Sequence, residues 1–155
     1  ITEVQPVGTC VYIVENEMVF SYLMEQVQGK NVSLLCTSGQ PRYAALKLIS
    51  LIVQSGIPIY YSGGLDPDGI GIADRLWQRF GNRIQFFGMS PEDYRNSLSK
   101  EVFGENGRKK LEHIWHPLLR ETAELVRKTG KAGYQENTLK ELSEKLVGCD
   151  QNQNL

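Results

Sequence analysis

Cysteine is scarce and unpaired in this sequence: Cys10, Cys36 and Cys149 are odd in number and widely spaced, with no C-x-x-C pair. That excludes a disulfide framework or a cysteine-based zinc site as the organising feature, and the thiols are read as buried or incidental. Long hydrophobic runs are missing too. No stretch approaches the roughly 18 uninterrupted apolar residues of a membrane helix, and the N-terminus lacks the basic-then-apolar pattern of a signal peptide. The expected setting is cytoplasmic, with no membrane partner. Net charge is only −1, which argues against a protein that coats nucleic acid through bulk positive charge. The only two histidines, His113 and His116, stand at helical i, i+3 spacing. No carboxylate motif or third ligand accompanies them, so they are expected to be surface or core residues rather than metal ligands.

What is there suits one globular unit. The 155 residues are 41% apolar and 23% charged, enough for a single core. The chain opens on Ile1 with linker-like residues, which suggests a domain of something longer. Charge is unevenly spread. Residues 1–74 carry three basic side chains against seven acidic ones, and the rest carries fourteen against eleven. An acidic half able to hold a cation, joined to a basic half able to hold phosphate, suits a metal-dependent nucleic-acid enzyme, although solvated helix faces produce the same statistic.

Short apolar runs alternate with amphipathic stretches over the first two-thirds, the pattern of parallel strands joined by helices. Strands are expected at Val11–Val14, Val32–Cys36, Ile57–Tyr61 and Arg83–Phe87, each nearly continuous in apolar residues as a strand covered on both faces should be. Met18, Val19, Tyr22, Leu23 and Val27 mark the first helix. Ala44, Ala45, Leu48, Leu51 and Ile52 mark the second, starting at Pro41, and Ile72, Ala73, Leu76 and Phe80 the third. Beyond Gly88 the pattern turns helical, through Leu111, Ile114 and Trp115 and then Leu118, Leu119, Leu125 and Val126, with a break or kink at Pro117. Thr138 and Glu141 form a capping box before a last helix. Residues 1–148 thus read as one domain with a helical C-terminal part, and 149–155 as a polar tail expected to be disordered.

Open parallel sheets bind ligands outside the carboxyl ends of their strands. Three such loops carry polar residues: Glu15-Asn16-Glu17, Thr37-Ser38-Gly39-Gln40-Pro41, and Ser62-Gly63-Gly64-Leu65-Asp66-Pro67-Asp68-Gly69. Right-handed crossovers bring them to one edge. Glu15, Asp66 and Asp68 there make a plausible site for a hard cation such as Mg²⁺ or Mn²⁺, which takes carboxylate oxygens, waters and substrate phosphates. Asp68 before Gly69 is equally well placed as a helix N-cap, and Asp-Pro-Asp-Gly is a good turn sequence. Glu15 directly ends a buried strand, where desolvation is costly unless a cation or donor compensates. Glu17 is taken as structural, in the first turn of a helix. Ser38 and Gly39 precede a helix in an anion-friendly arrangement, and Arg108, Lys109 and Lys110 are possible contacts to DNA phosphate, although an ordinary turn and a solvated helix start fit these segments as well.

Tyr12-Ile13-Val14-Glu15-Asn16, with Phe20 in the helix that follows, and Tyr61 through Gly69 running into Ile72-Ala73, resemble the two motifs of Toprim domains. Such domains occur in type IA topoisomerases, the topoisomerase VI A subunit, bacterial primases and several nucleases. Within that superfamily the chain is most similar to the C-terminal domain of JetD-like subunits of Wadjet plasmid-defence systems. The likeness covers about residues 10 to 90 well and the remainder loosely. It implies an α/β fold, with a four-stranded parallel, Rossmann-like Toprim sheet, flanking helices and a helical C-terminal extension. It also implies metal held by Glu15, Asp66 and Asp68, DNA as substrate, and an SMC-like ATPase complex as partner. One position departs from the pattern. Anchored on Gly69 and Ile72-Ala73, the alignment leaves Gly64 where the first Asp of D-x-D belongs.

Three functions follow as expectations. The first is metal-dependent cleavage of DNA phosphodiester bonds by water, with Glu15, Asp66 and Asp68 catalytic. The second is a degenerate Toprim domain that binds DNA or a partner without catalysis, which Gly64 favours. A phosphotransfer domain nucleophilic at Asp66 fits poorly, because Ile70 stands where such sites need a hydroxyl.

Overall fold

A computed structural model describes residues 10–151, with side chains through Leu146. Strands β1 (Val11–Val14), β2 (Ser33–Cys36), β3 (Ile59–Ser62) and β4 (Ile84–Phe86) form one parallel sheet in the order β2-β1-β3-β4. The fold is α/β, as the alternating pattern predicts. Every residue of β1 is buried, because the strand is paired on both edges and covered on both faces. Side-chain alternation divides it between two cores. Val11 and Ile13 join Ile49 and Ile52 of α2 (Tyr43–Gln54) and Ile70, Ala73 and Leu76 of α3 (Pro67–Phe80). Tyr12 and Val14 face Val19 and Leu23 of α1 (Glu17–Gln26) and Leu142 and Leu146 of α7 (Leu139–Gln151).

Three strands are shorter than their apolar runs, for backbone reasons. Val32 donates to Lys30 O in a turn, so β2 begins one residue later. Pro58 has no N–H for a central ladder, so β3 starts after it and extends through Ser62. Arg83 closes a 3-10 turn, Gly81–Arg83, ahead of β4. The second helix begins at Tyr43, beyond an extended Arg42. The third begins at Pro67, two residues before the Gly69 start that an Asp68 cap would give, because Asp66 caps it and Pro67 has the φ of a first helical turn.

The C-terminal part departs further from a purely helical reading. It contains α4 (Pro91–Ser97), β5 (Leu98–Val102), α5 (Glu105–Lys110), α6 (Pro117–Thr129) and β6 (Lys131–Gly133), with β5 and β6 in an antiparallel ribbon. Pro117 opens α6 instead of kinking a longer helix. The ribbon has no strong β signal, since β5 is mostly exposed and β6 is Lys-Ala-Gly. Its pairing is set by tertiary contact. Leu65 and Gly133 exchange both backbone hydrogen bonds, at 3.1 and 2.9 Å, tying the ribbon to the loop after β3. Thr138 precedes α7 with its hydroxyl donating to Gln135 O. A capping box is formed instead by Ser90 and Asp93 at α4. Helix α7 continues through Gln151, past the Gly148 boundary, and residues 152–155 of the expected tail lie outside the described residues. Cys10 is buried and Cys36 half-buried, and neither forms a disulfide.

The break between α5 and α6 is fixed by Asp74, a fully buried carboxylate of α3. It accepts hydrogen bonds from Trp115 N (3.0 Å), His116 N (2.8 Å) and Gln78 Nε2 (2.9 Å). His113 and His116 therefore do not share a helix. His113 ends a 3-10 turn, while His116 caps α6 and packs edge-on against Trp77 and Phe86. Burial pushes the His116 pKa down against the opposing pull of Asp74. Removing the Asp74 carboxylate orphans two backbone donors. Asp74→Ala is expected to cost about 3 kcal/mol or more of unfolding free energy, measured by urea denaturation, and a cost under about 1 kcal/mol would contradict the anchoring role.

Candidate functional site

Neighbouring connections leave the sheet in opposite directions at β1 and β3: β1 leads to β2 on one side, β3 to β4 on the other. This is the switch point at which open parallel sheets form their ligand crevice. Glu15 follows β1 and is half-buried. Its backbone is held on both sides, Glu15 N donating to Ser62 O and Gly39 N to Glu15 O. Its Oε2 accepts from Gly64 N at 3.0 Å. This approach requires glycine beside it, because a Cβ on Gly63 would stand 2.8 Å from Glu15 Oε2. Gly69 allows a second close approach, its Cα lying against the Gly64 carbonyl.

Asp66, also half-buried, caps α3 by accepting from Gly69 N at 2.7 Å through Oδ1. The cap is thus Asp66, not Asp68. The other oxygen turns toward Gly64. A Cβ built on Gly64 would lie 3.5 Å from Asp66 Oδ2 and 3.9 Å from Glu15 Oε2, so both oxygens fall within 4 Å of one point. Asp68 is exposed and pairs with Lys110 Nζ at 2.8 Å. The structure therefore brings Glu15 and Asp66 together and turns Asp68 toward α5. Among the described residues, no three His, Cys, Asp or Glu side chains are grouped to hold a metal ion. Glu15 and Asp66 are the residues that could hold a cation such as Mg²⁺, which is commonly held by one or two carboxylates and completed by waters and phosphates.

Both carboxyls are held above their ordinary pKa, chiefly by burial. The Gly64 N–H opposes the rise at Glu15 and the Gly69 N–H opposes it at Asp66, while each also feels Asp68. Glu136 adds repulsion at Glu15, and Glu101 at Asp66. These two acids belong to the C-terminal part and escaped the motif reading. Glu136 is held by Asn16 Nδ2 at 3.0 Å, while Asn16 Oδ1 caps α1. Beneath them the Tyr61 hydroxyl is buried without a partner at hydrogen-bond geometry. Thr37 lies near it but donates to Gly39 O. Burial, with Glu15 adding to it, pushes the Tyr61 pKa far up.

The remaining residues picked from the sequence divide. Ser38 and Gly39 border an open groove of about 410 Å³ with Glu15 and Glu17. Ser38 has φ 54° and donates to Glu17 Oε1 at 2.8 Å. Lys109 is exposed, and Lys110 faces Asp68. Arg108 is half-buried and donates to Arg127 O, a structural contact. The three basic residues end α5 rather than start a helix.

Two stability predictions follow. A carboxyl whose folded pKa is raised favours the fold while protonated and loses that advantage as pH rises from its ordinary value through the folded one. Glu15→Gln keeps an acceptor for Gly64 N without the charge. It is expected to melt about 2–4 °C above the native protein at pH 7, with the gap closing below pH ~4. Gly64→Asp places a third carboxylate between the first two at ordinary contact distances and without a positive φ. It should melt lower than the native protein without metal and gain more from added Mn²⁺, with calorimetry showing tighter binding.

No curated protein shows significant sequence similarity to the chain. Residues 2–146, nearly its whole length, match the family model described as "Protein of unknown function C-terminus (DUF2399)", and the chain belongs to that family.

Proposed function

We propose that this chain is a Toprim-type nuclease domain that hydrolyses DNA phosphodiester bonds with a hard divalent cation at Glu15 and Asp66. The observation that carries the reading is the convergence of these two half-buried carboxylates on one point at the sheet's switch point. Burial raises their pKa values, a cost that the Gly64 and Gly69 N–H groups offset only in part and that a cation would relieve. The cation's chemistry would be polarisation of the scissile phosphate and activation of water as nucleophile. The chain's own groups do the rest. Gly64 N fixes the orientation of Glu15, and the α3 cap fixes Asp66 with Oδ2 directed toward the shared point. Lys110 offsets the charge of Asp68 at the rim. Ser38 and Gly39 stand at the mouth with their donors already taken, the Ser38 hydroxyl by Glu17 and the Gly39 N–H by Glu15 O.

The likeness to JetD-like subunits extends the proposal to the setting: an SMC-like ATPase complex of a plasmid-defence system that delivers DNA to this domain. A second reading, a non-catalytic module that binds DNA or a partner, is favoured by Gly64 at the place of a ligand Asp and by the engagement of Asp68 with Lys110. The two separate experimentally. Glu15→Gln and Asp66→Asn are each expected to abolish Mg²⁺- or Mn²⁺-dependent cleavage of plasmid DNA by the complete complex, with circular dichroism unchanged. Cleavage at the native rate by both variants would place catalysis elsewhere. A native complex that binds DNA but cuts none with either metal would establish the binding-module reading.

A further inference from the structure

We propose that Trp115, with the cleft beside it that Arg75 lines, is the docking ridge for an unpaired nucleotide of a DNA strand. The polynucleotide's identity rests on the nuclease reading above. The indole is 65% exposed. A large apolar side chain on a loose surface loop would need no explanation, but this segment is fixed on both sides. Buried Asp74 accepts from Trp115 N and His116 N. Arg120 donates to Ile114 O at 3.0 Å and to Trp115 O at 3.3 Å. The next ring, His116, is wedged between Trp77 and Phe86, both ring centroids at 4.9 Å. These bonds fix the backbone from which the indole projects, leaving only its two side-chain torsions to be ordered on binding, and an aromatic with two torsions loses little freedom.

A cleft of about 310 Å³ adjoins the loop, lined by Arg75, Lys110, His113 and Ile114, and it reaches Pro67 and Asp68 at the start of α3. Its two carboxylates are engaged, Asp74 by its three donors and Asp68 by Lys110. Arg75 is bonded to the neutral Gln40, so its charge is available. Arg79, one turn further along α3, lines a second cleft with Arg75. Guanidinium groups along a helix attract phosphates, and a flat exposed indole stacks on a base of any identity. A protein partner would use the indole but has no comparable need for the arginine row.

The test is anisotropy of a labelled oligothymidylate of about ten nucleotides, titrated with the full-length protein without divalent metal. Trp115→Ala should weaken binding about tenfold with the salt dependence unchanged, and Trp115→Phe should recover most of the loss. Arg75→Ala should weaken binding and flatten the log–log salt slope by about 0.7. A Trp115→Ala protein that binds as tightly as native overturns the proposal, as does a native protein with no affinity for the oligonucleotide, including one that uses Trp115 only to hold a protein subunit. Native protein that binds through Trp115, in a complete complex that cuts no DNA with Mg²⁺ or Mn²⁺, supports the docking ridge and overturns the nuclease reading alone.

Discussion

The placement of β1 between β2 and β3 is the constraint from which the site follows. Paired on both edges and buried on both faces, the strand has no solvent to offer the residue that ends it. Glu15 therefore emerges half-buried, with a carboxylate that must find a donor or a cation. The donor is Gly64 N, from the loop after the neighbouring strand. Two glycines permit this contact: Gly63 leaves room for the carboxylate, and Gly69 leaves room for the Gly64 carbonyl. A parallel sheet with its switch point at β1 and β3 thus delivers two acids to one place, each oriented by a backbone N–H of the chain.

The second hold on that loop comes from outside the sheet. Leu65, between the glycines and Asp66, is bonded both ways to Gly133 of the C-terminal ribbon. Glu101 and Glu136, which raise the charge density at the site, reach it from the same C-terminal part. The helical extension is accordingly part of the site's construction. The protein keeps locally unfavourable features there: two carboxyls with raised pKa and a buried tyrosine hydroxyl that, among the described residues, has Thr37 nearby but no partner at hydrogen-bond geometry. Stability sacrificed in one region is a common mark of a functional site.

How much of this was legible depends on the range of the interaction concerned. The four strands of the sheet and their crossovers were legible because apolar runs and helical periodicity are local signals. Glu15 and Asp66 were legible because residues just after parallel strands must share an edge. Asp68 was selected by the same rule, but its position in the first turn of α3 points it toward Lys110, a contact 42 residues away that spacing cannot reveal. Asp74 was passed over because a lone Asp within an amphipathic helix looks solvated. Only its burial against residues 114–116 discloses that it terminates another segment.

The sequence by itself determined the α/β class, the parallel sheet and the edge on which the acids lie, since each follows from periodicity or from residue type. Tertiary structure decided which acids converge, which cap a helix, and where the chain breaks between α5 and α6. It also decided the β5–β6 ribbon, whose residues carry little strand preference and pair because Gly133 meets Leu65. The physical reason is the range of the forces. Patterning reports burial one residue at a time, whereas a carboxylate's role is set by the donors that reach it, and those arrive from distant parts of the chain.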